Sequence, residues 1–517
     1  MLGPSAAVRR QAQHPPSAVV AAAGDETPWH QDAGLRKVIV PIALIYLTQV
    51  CTGFDATLTA NLQSFAEWKR EMGMPNSSEL GVITAIYFIG CLVGSIPASW
   101  ITDKFGRKVG LAIGQALTIA GAGFQAGSHG RGQYIGSRFI LGFGIAFVTC
   151  AGPALLSELA HPRFRGTLVS FFNPFWYLGS IIVAWTCFGT SHMAPDNTWN
   201  WRIPSLLQAL IPCCVLPLVW WMPESPRWLV SKGRSEEALA ILAKYHGNGN
   251  ASDELVVVQF GEIKDAIERA HEGISWRALL TQKINLQRLF IVVTMTLMTL
   301  WCGQNIITFY FSSILNSIGV TSTTQQTGIN GGLNIANLLS SLVGAVLADR
   351  IGRRKLWMVS FVGMITIFVP FIALSAIYSQ RQGNEGYGVI ACLFLFDIMY
   401  NVACNPLLYS YTTEIMPFFM RSKGLAVKNF VGQIALIINM YVNPVALAAI
   451  AWRYYFVFLA LNCLWLFLIW MFFPETKGYS LEELAVLFDS DAMPVIDGYK
   501  EKEESPAAEI MAAGKQG

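Results

Sequence analysis

The chain has 517 residues, of which 53% are hydrophobic and only 13% charged, against about 25% charged in soluble domains. Its net charge of +3 is dispersed and forms no basic stripe interleaved with aromatics, so no nucleic-acid partner is expected. The ten cysteines lie in apolar runs without metal-ligand spacing, and no nucleotide loop, zinc motif or nucleophile elbow occurs; neither a metal, a cofactor nor an enzyme is expected.

Residues 1–37 are rich in Ala, Pro and Gln and lack the basic start and apolar core of a signal peptide. They read as a disordered cytoplasmic segment, with the first helix as its own insertion signal. A helix needs about 20 apolar residues to cross the hydrocarbon layer. Such runs lie near 38–60, 81–101, 109–127, 134–155, 167–187, 203–222, 288–311, 328–348, 355–378, 388–411, 424–447 and 453–473. Between the second and third runs stands Asp103-Lys104-Phe105-Gly106-Arg107-Lys108. Between the eighth and ninth stands Asp349-Arg350-Ile351-Gly352-Arg353-Arg354-Lys355. One charged turn, D-x-x-G-R-[KR], at matching places means an internal repeat, the plan of many transporters. The expected fold is therefore an all-α membrane protein. It has twelve transmembrane helices in two pseudo-symmetric six-helix halves, 38–222 and 288–473.

Lys and Arg concentrate in short cytoplasmic loops. With the N-terminus inside, the inner loops hold Lys104, Arg107, Lys108, Arg163, Arg165, Arg350, Arg353, Arg354, Lys355, Arg421 and Lys423, so both termini are expected in the cytoplasm. The connection 223–287 is basic and reads as a cytoplasmic linker with short helices from Ser235 and over 260–270. Residues 474–517 form a polar cytoplasmic tail. Asn76-Ser77-Ser78 is a glycosylation sequon in the first outer loop; a second, at Asn250, falls on the cytoplasmic side.

Charges within the spans need partners. Thr48, Thr52, Asp55 and Thr59 share one face of the first span, and Arg138, the cation in the body of the fourth, is the expected partner of Asp55. A carboxylate that exchanges Arg138 for a proton would couple proton movement to substrate. Asp397 is a further charge expected in the cavity. It begins a stripe with Asn401, Asn405 and Tyr409 at four-residue spacing. Asn330, Asn334, Asn337 and Ser341 in the eighth span, Gln304, Asn305 and Thr308 in the seventh, and Asn429 and Gln433 in the eleventh supply further polar groups. Amides both donate and accept, which suits a neutral polyol, and Trp176, Tyr177, Trp301 and Tyr310 offer stacking faces.

Several sequence words resemble those of the sugar porter family of the major facilitator superfamily, over nearly the whole chain. They are Gly53-Phe54-Asp55; Ser137-Arg138-Phe139 with Gly142 and Gly144; Glu158 with Arg165-Gly166; Pro223-Glu224-Ser225-Pro226-Arg227-Trp228-Leu229; and Pro474-Glu475-Thr476-Lys477-Gly478. Asn330-Gly331-Gly332-Leu333, Phe175-Trp176-Tyr177-Leu178-Gly179 and Val442-Asn443-Pro444-Val445 resemble the fungal lactose-permease-like members. The resemblance implies that Asp55 and Arg138 serve proton coupling. A cytoplasmic gate is expected from Asp103, Arg107, Glu158, Arg165, Glu224, Arg227, Asp349, Arg353, Glu414, Arg421, Glu475 and Lys477, opposite charges that can latch the halves. Asn173, Trp176, Gln304, Asn305, Asn334, Asn405, Tyr409 and Gln433 are the expected substrate residues. The family's seventh-span Gln pair falls on Thr299-Leu300, its fifth-span Gln on Asn173, and two tenth-span Trp on Cys404 and Tyr409, which puts an ordinary glucose site in doubt.

The function expected is secondary active transport. A sugar, a disaccharide such as lactose or cellobiose or a hexose, would cross the fungal plasma membrane by proton symport through a monomer in the lipid bilayer. Import or export of another polar metabolite, and a transporter-like sugar sensor, are the competing readings.

Overall fold

Backbone amides in hydrocarbon must be satisfied within their own segment, so a spanning chain is helical or a closed barrel. Every regular element among the described residues is helical. The structure is a computed structural model and describes residues 31–477 except 195, 272–275, 382, 384 and 417–419. Side chains at 166, 170, 266, 268–271, 276–278, 349, 413, 421 and 422 also lie outside the described set. The gate residues Asp349 and Arg421 are thus outside it as side chains, as are the whole of 1–30 and of 478–517.

Among the described residues, ten stretches are long and apolar enough to cross a membrane. One of them, Lys423–Phe472, contains two helices, Arg421–Ile450 and Tyr455–Phe472, joined by the 3-10 turn Ala451–Tyr454. The shorter Phe175–Thr190 continues Arg165–Phe172 as the fifth span. These two additions bring the spans to the twelve expected. The first span, Ala33–Leu62, starts earlier than its hydropathy suggests because Asp32 caps it: its carboxylate accepts from the amides of Gly34 at 2.8 Å and Leu35 at 2.9 Å. The second, Ser77–Phe105, is capped by the sequon residue Asn76, which accepts from the Glu79 amide at 2.9 Å while Glu79 returns to the Asn76 amide. The sequon amide is therefore engaged in a helix start.

Small residues let spans meet backbone to backbone. A Cβ on Gly53 would lie 1.9 Å from the Trp176 carbonyl, and one on Gly179 would lie 2.0 Å from that of Val50. The first and fifth spans therefore touch over residues 50–54, in the turn that precedes Asp55. The seventh span breaks between Lys283–Leu300 and Gln304–Ser317, where Gly303 adopts φ 109°. Side-chain amides satisfy the carbonyls this break frees. Asn305 and Asn439 donate to Leu300 at 2.8 and 2.7 Å, and Asn462 donates to Cys302 at 2.9 Å.

The two repeated turns are built alike. Gly106 and Gly352 take φ 109° and 102°, and a carboxylate lies where a Cβ would otherwise stand. Glu224 accepts from the amides of Arg107 and Lys108 at 3.1 and 3.2 Å; Glu475 accepts from that of Arg353 at 2.8 Å. Each glutamate caps the helix that follows its turn, where the helix dipole favours negative charge. Burial pushes the Glu224 carboxyl up, against the pull of these amides.

The linker forms helices Pro226–Ser231, Ser235–His246, Glu254–His271 and Trp276–Thr281. Trp228 Nε1 donates to the Asp103 carbonyl at 3.0 Å, and Asn248 accepts from the Gly34 amide at 2.6 Å, so the linker lies against the first half. His246 Nε2 reaches the Leu159 carbonyl at 3.2 Å and its Nδ1 faces the Gln259 amide. His161 stands edge-on to it at 5.2 Å.

Two predictions follow from this packing. Gly53→Leu must displace the Trp176 backbone, and overpacking of this kind costs roughly 1–3 kcal/mol or more; the variant is expected to lose its monodisperse peak in size-exclusion chromatography. Burial, then His246, lowers the His161 pKa from 6.5 to about 4. A depressed folded pKa gives stability that is complete above pH 6.5 and is lost as pH falls toward 4. Between pH 7 and 5 this loss is about 2 kcal/mol. The fall in melting temperature over that interval should therefore be smaller in His161→Asn than in the parent; an equal fall removes His161 from the acid response.

Candidate transport site

Asp55 is fully buried and Arg138 is 1% exposed. Arg138 donates to the main-chain carbonyl of Asp55 at 2.8 Å, not to its carboxylate, and its guanidinium lies over the Tyr87 ring, 4.4 Å from the centroid. The carboxylate receives only the Cys51 thiol, at 3.7 Å, and its Oδ1 has no partner. The expected neighbours thus meet, but through the backbone, because the close approach of spans one and five at Gly53 holds the Asp55 backbone in place.

Asp397 is 1% exposed and organises the second half. Its Oδ2 accepts from Asn337 at 2.9 Å and Gln304 at 3.4 Å; its Oδ1 has no partner. Gln304 Oε1 accepts in turn from Thr308 at 2.7 Å. Asn401, one turn along the tenth span, accepts from Tyr177 of the fifth span at 2.7 Å and from Asn405 at 3.3 Å. Asn173 donates to Asn405 Oδ1, and Gln49 of the first span reaches Asn173 at 3.5 Å. A continuous path of amides therefore runs from the first span through the fifth to the tenth, joining the halves near mid-bundle.

Further bonds between halves lie toward the end opposite the charged turns. Asn330 donates to Asn61 at 2.9 Å, Gln63 to the Phe309 carbonyl at 3.1 Å, and Thr323 to the Ser64 carbonyl at 2.9 Å. The charged turns pair differently. Arg107 meets Glu158 at 3.4 Å and Asp103 at 3.3 Å, and Arg353 meets Glu414 at 3.1 Å; each pair lies within one half. Arg165 is half-buried beside Arg227, Glu262 and Glu158, all on the first half and its linker.

The expected substrate residues separate into groups. Asn173 and Asn405 lie on the polar path, Gln304 is bonded to Asp397, and Asn334 is bonded to Asn330 toward the far end. Trp176 is half-buried, edge-on to Tyr177 at 5.2 Å. Gln433 is half-buried with Oε1 unpartnered. The Asn305 amide nitrogen holds the seventh-span break, and the Tyr310 hydroxyl donates to the Met440 carbonyl, so both serve the backbone. Asn429 is exposed, off the path. Sequence reasoning passed over Gln49, Asn61 and Lys428. Lys428 is 3% exposed and its ammonium sits 3.4 Å from the centroid of the Tyr409 ring. The available signal was a lysine inside an apolar run.

The family described as "Sugar (and other) transporter" matches residues 41–488. The MFS-type transporter oryC of Aspergillus oryzae is 29% identical over 446 residues, 84% of this chain and 81% of that protein. The high-affinity glucose transporter of Kluyveromyces lactis is 29% identical over 456 residues, again 84% and 81%. Among solved structures, the proton:xylose symporter XylE bound to 6-bromo-6-deoxy-D-glucose superposes with a TM-score of 0.73 at 23% identity, over 87% of this chain and 99% of that one. That likeness establishes the helical fold. With the family pattern spanning most of its length, the chain belongs to the sugar (and other) transporter family of the major facilitator superfamily.

Proposed function

We propose that the protein carries a polyhydroxylated, sugar-type solute across the plasma membrane with a proton, by alternating access, with both termini in the cytoplasm. The observation that carries this reading is the amide path joining the halves at mid-bundle, Gln49–Asn173–Asn405–Asn401–Tyr177. Rocking the halves breaks its inter-half bonds, and hydroxyls that both donate and accept can replace them. The basic turns mark their end as cytoplasmic. The bonds between halves collect at the middle and the far end, which suits a state closed to the outside. The relatives named for glucose transport and for proton:xylose symport support the same substrate class and coupling.

Asp55 is the proposed proton carrier. Its Oδ1 lacks a partner and its carboxylate is not paired with Arg138. A proton there neutralises the charge in hydrocarbon, and the nearby Arg138 favours its release when the path opens to water. Thr299, at a family amide position, turns its hydroxyl back onto the Met295 and Thr296 carbonyls, and Leu300 has no polar group. This favours, as a second reading, a polar metabolite other than a plain hexose or disaccharide.

Asp55→Asn keeps the size but cannot carry a proton. It is expected to abolish protonophore-sensitive accumulation of labelled sugar in transporter-null yeast while leaving exchange; unchanged accumulation would remove Asp55 from coupling. Arg107→Ala and Arg353→Ala leave Glu158 and Glu414 without their arginines and loosen each half as a body; they should slow uptake several-fold, with detergent-phase binding within about threefold of the parent, since neither side chain touches the polar path. Loss of binding would make both arginines purely structural.

A further inference from the structure

We infer that Lys428 is the binding group for a carboxylate carried by the transported solute, so that the preferred substrate is an acidic sugar and not its neutral parent; this rests on the transport reading above.

Lys428 lies two turns inside the eleventh span, Arg421–Ile450, and is 3% exposed. A buried ammonium is held at high cost unless a counter-charge or acceptors meet it. Among the described residues it makes no hydrogen bond and no ion pair; its contact is the face of Tyr409 at 3.4 Å. A cation–π contact contributes about 0.5–2 kcal/mol, which does not replace hydration of a full charge. Of the carboxylates on the tenth span, Glu414 is taken up by Arg353 and Thr476, and Asp397 stands twelve residues from Tyr409. At 1.5 Å per residue the two are about 18 Å apart along the axis, and Asp397 is already bonded to Asn337 and Gln304. It cannot neutralise Lys428.

Position supplies the ligand. Tyr409 closes the stripe Asp397, Asn401, Asn405, Tyr409, and Asn405 is the residue that meets Asn173 across the halves. Asn405 and Tyr409 are one turn apart, about 6 Å along the helix, the length of a single pyranose ring. A solute whose hydroxyls engage Asn173 and Asn405 therefore places its far end at the Lys428 ammonium. Gln433 is on the same helix as Lys428, and its unpartnered Oε1 can accept from a neighbouring hydroxyl. Among the described residues no other cation is bonded to this site, and a single ammonium matches the single negative charge of a carboxylate.

The test compares D-glucuronate with D-glucose, which differ at one carbon, in proteoliposomes containing the full chain. Binding is measured in parallel on detergent-purified protein by isothermal titration calorimetry. In the parent, glucuronate is expected to bind at least tenfold more tightly than glucose. Lys428→Met should reduce that preference at least tenfold, and Lys428→Arg, which keeps the charge, should restore most of it. Lys428→Gln is a second neutral variant should the methionine protein not fold. A glucuronate preference that is unchanged in the folded neutral variants, or a parent that prefers glucose, overturns the inference while leaving sugar transport standing. A parent that binds neither overturns both readings.

Discussion

A buried polar group without a partner costs several kcal/mol in hydrocarbon, and this cost decides the place of each amide and charge in the bundle. The seventh span can break at Gly303 because Asn305, Asn439 and Asn462 reach the freed carbonyls. The fifth span can present Asn173 to the tenth because Gly53 and Gly179 bring the neighbouring backbones within contact. Along the polar faces, Asp55 Oδ1, Asp397 Oδ1 and Gln433 Oε1 are left unpartnered, and a proton, water or solute that reached them would lower that cost.

The halves share one construction and differ in what it holds. Glu224 and Glu475 close matching turns through the same amide contacts, although they arrive from the linker and from the residues after the last span. Each turn also carries an arginine paired to a glutamate at the end of another span, Arg107 to Glu158 and Arg353 to Glu414. Because these pairs lie inside a half, they stiffen each half as a body. The bonds between halves described above are neutral ones of the middle and far end. A neutral hydrogen bond contributes only about 0.5–1.5 kcal/mol net, so exchanging such bonds for water or hydroxyls keeps two states within a small energy of one another.

The span plan was legible because twelve apolar runs and a duplicated charged turn report hydrophobic length and repeat directly. The inward face of the first span was legible because Thr48, Thr52, Asp55 and Thr59 follow helical spacing, and all four are buried. Partner choice was not. Spacing places Asn305 beside Gln304 as a second amide, yet the break at Gly303 turns it back to Leu300. Arg138 and Asp55 were read as an ion pair, yet backbone approach at Gly53 offers the guanidinium a carbonyl first. Asn76, the first residue of a sequon, also caps a helix, which the sequon pattern does not report. These outcomes depend on backbone geometry at one glycine or one helix end, which composition and periodicity do not encode.

The intramembrane charges follow from the same accounting. In the first half, Asp55 and Arg138 stand together, the guanidinium donating to the Asp55 carbonyl. In the second, Asp397 is met by the amides of Asn337 and Gln304, and Lys428 by an aromatic face. Neutral amides and a ring lower the cost of burial without cancelling charge. A half whose opposite charges stand apart along its polar face presents a positive site near one end and a negative site deeper in. The first half holds its opposite charges together and the second holds them apart, and the proposed division between proton exchange and solute reading rests on that difference.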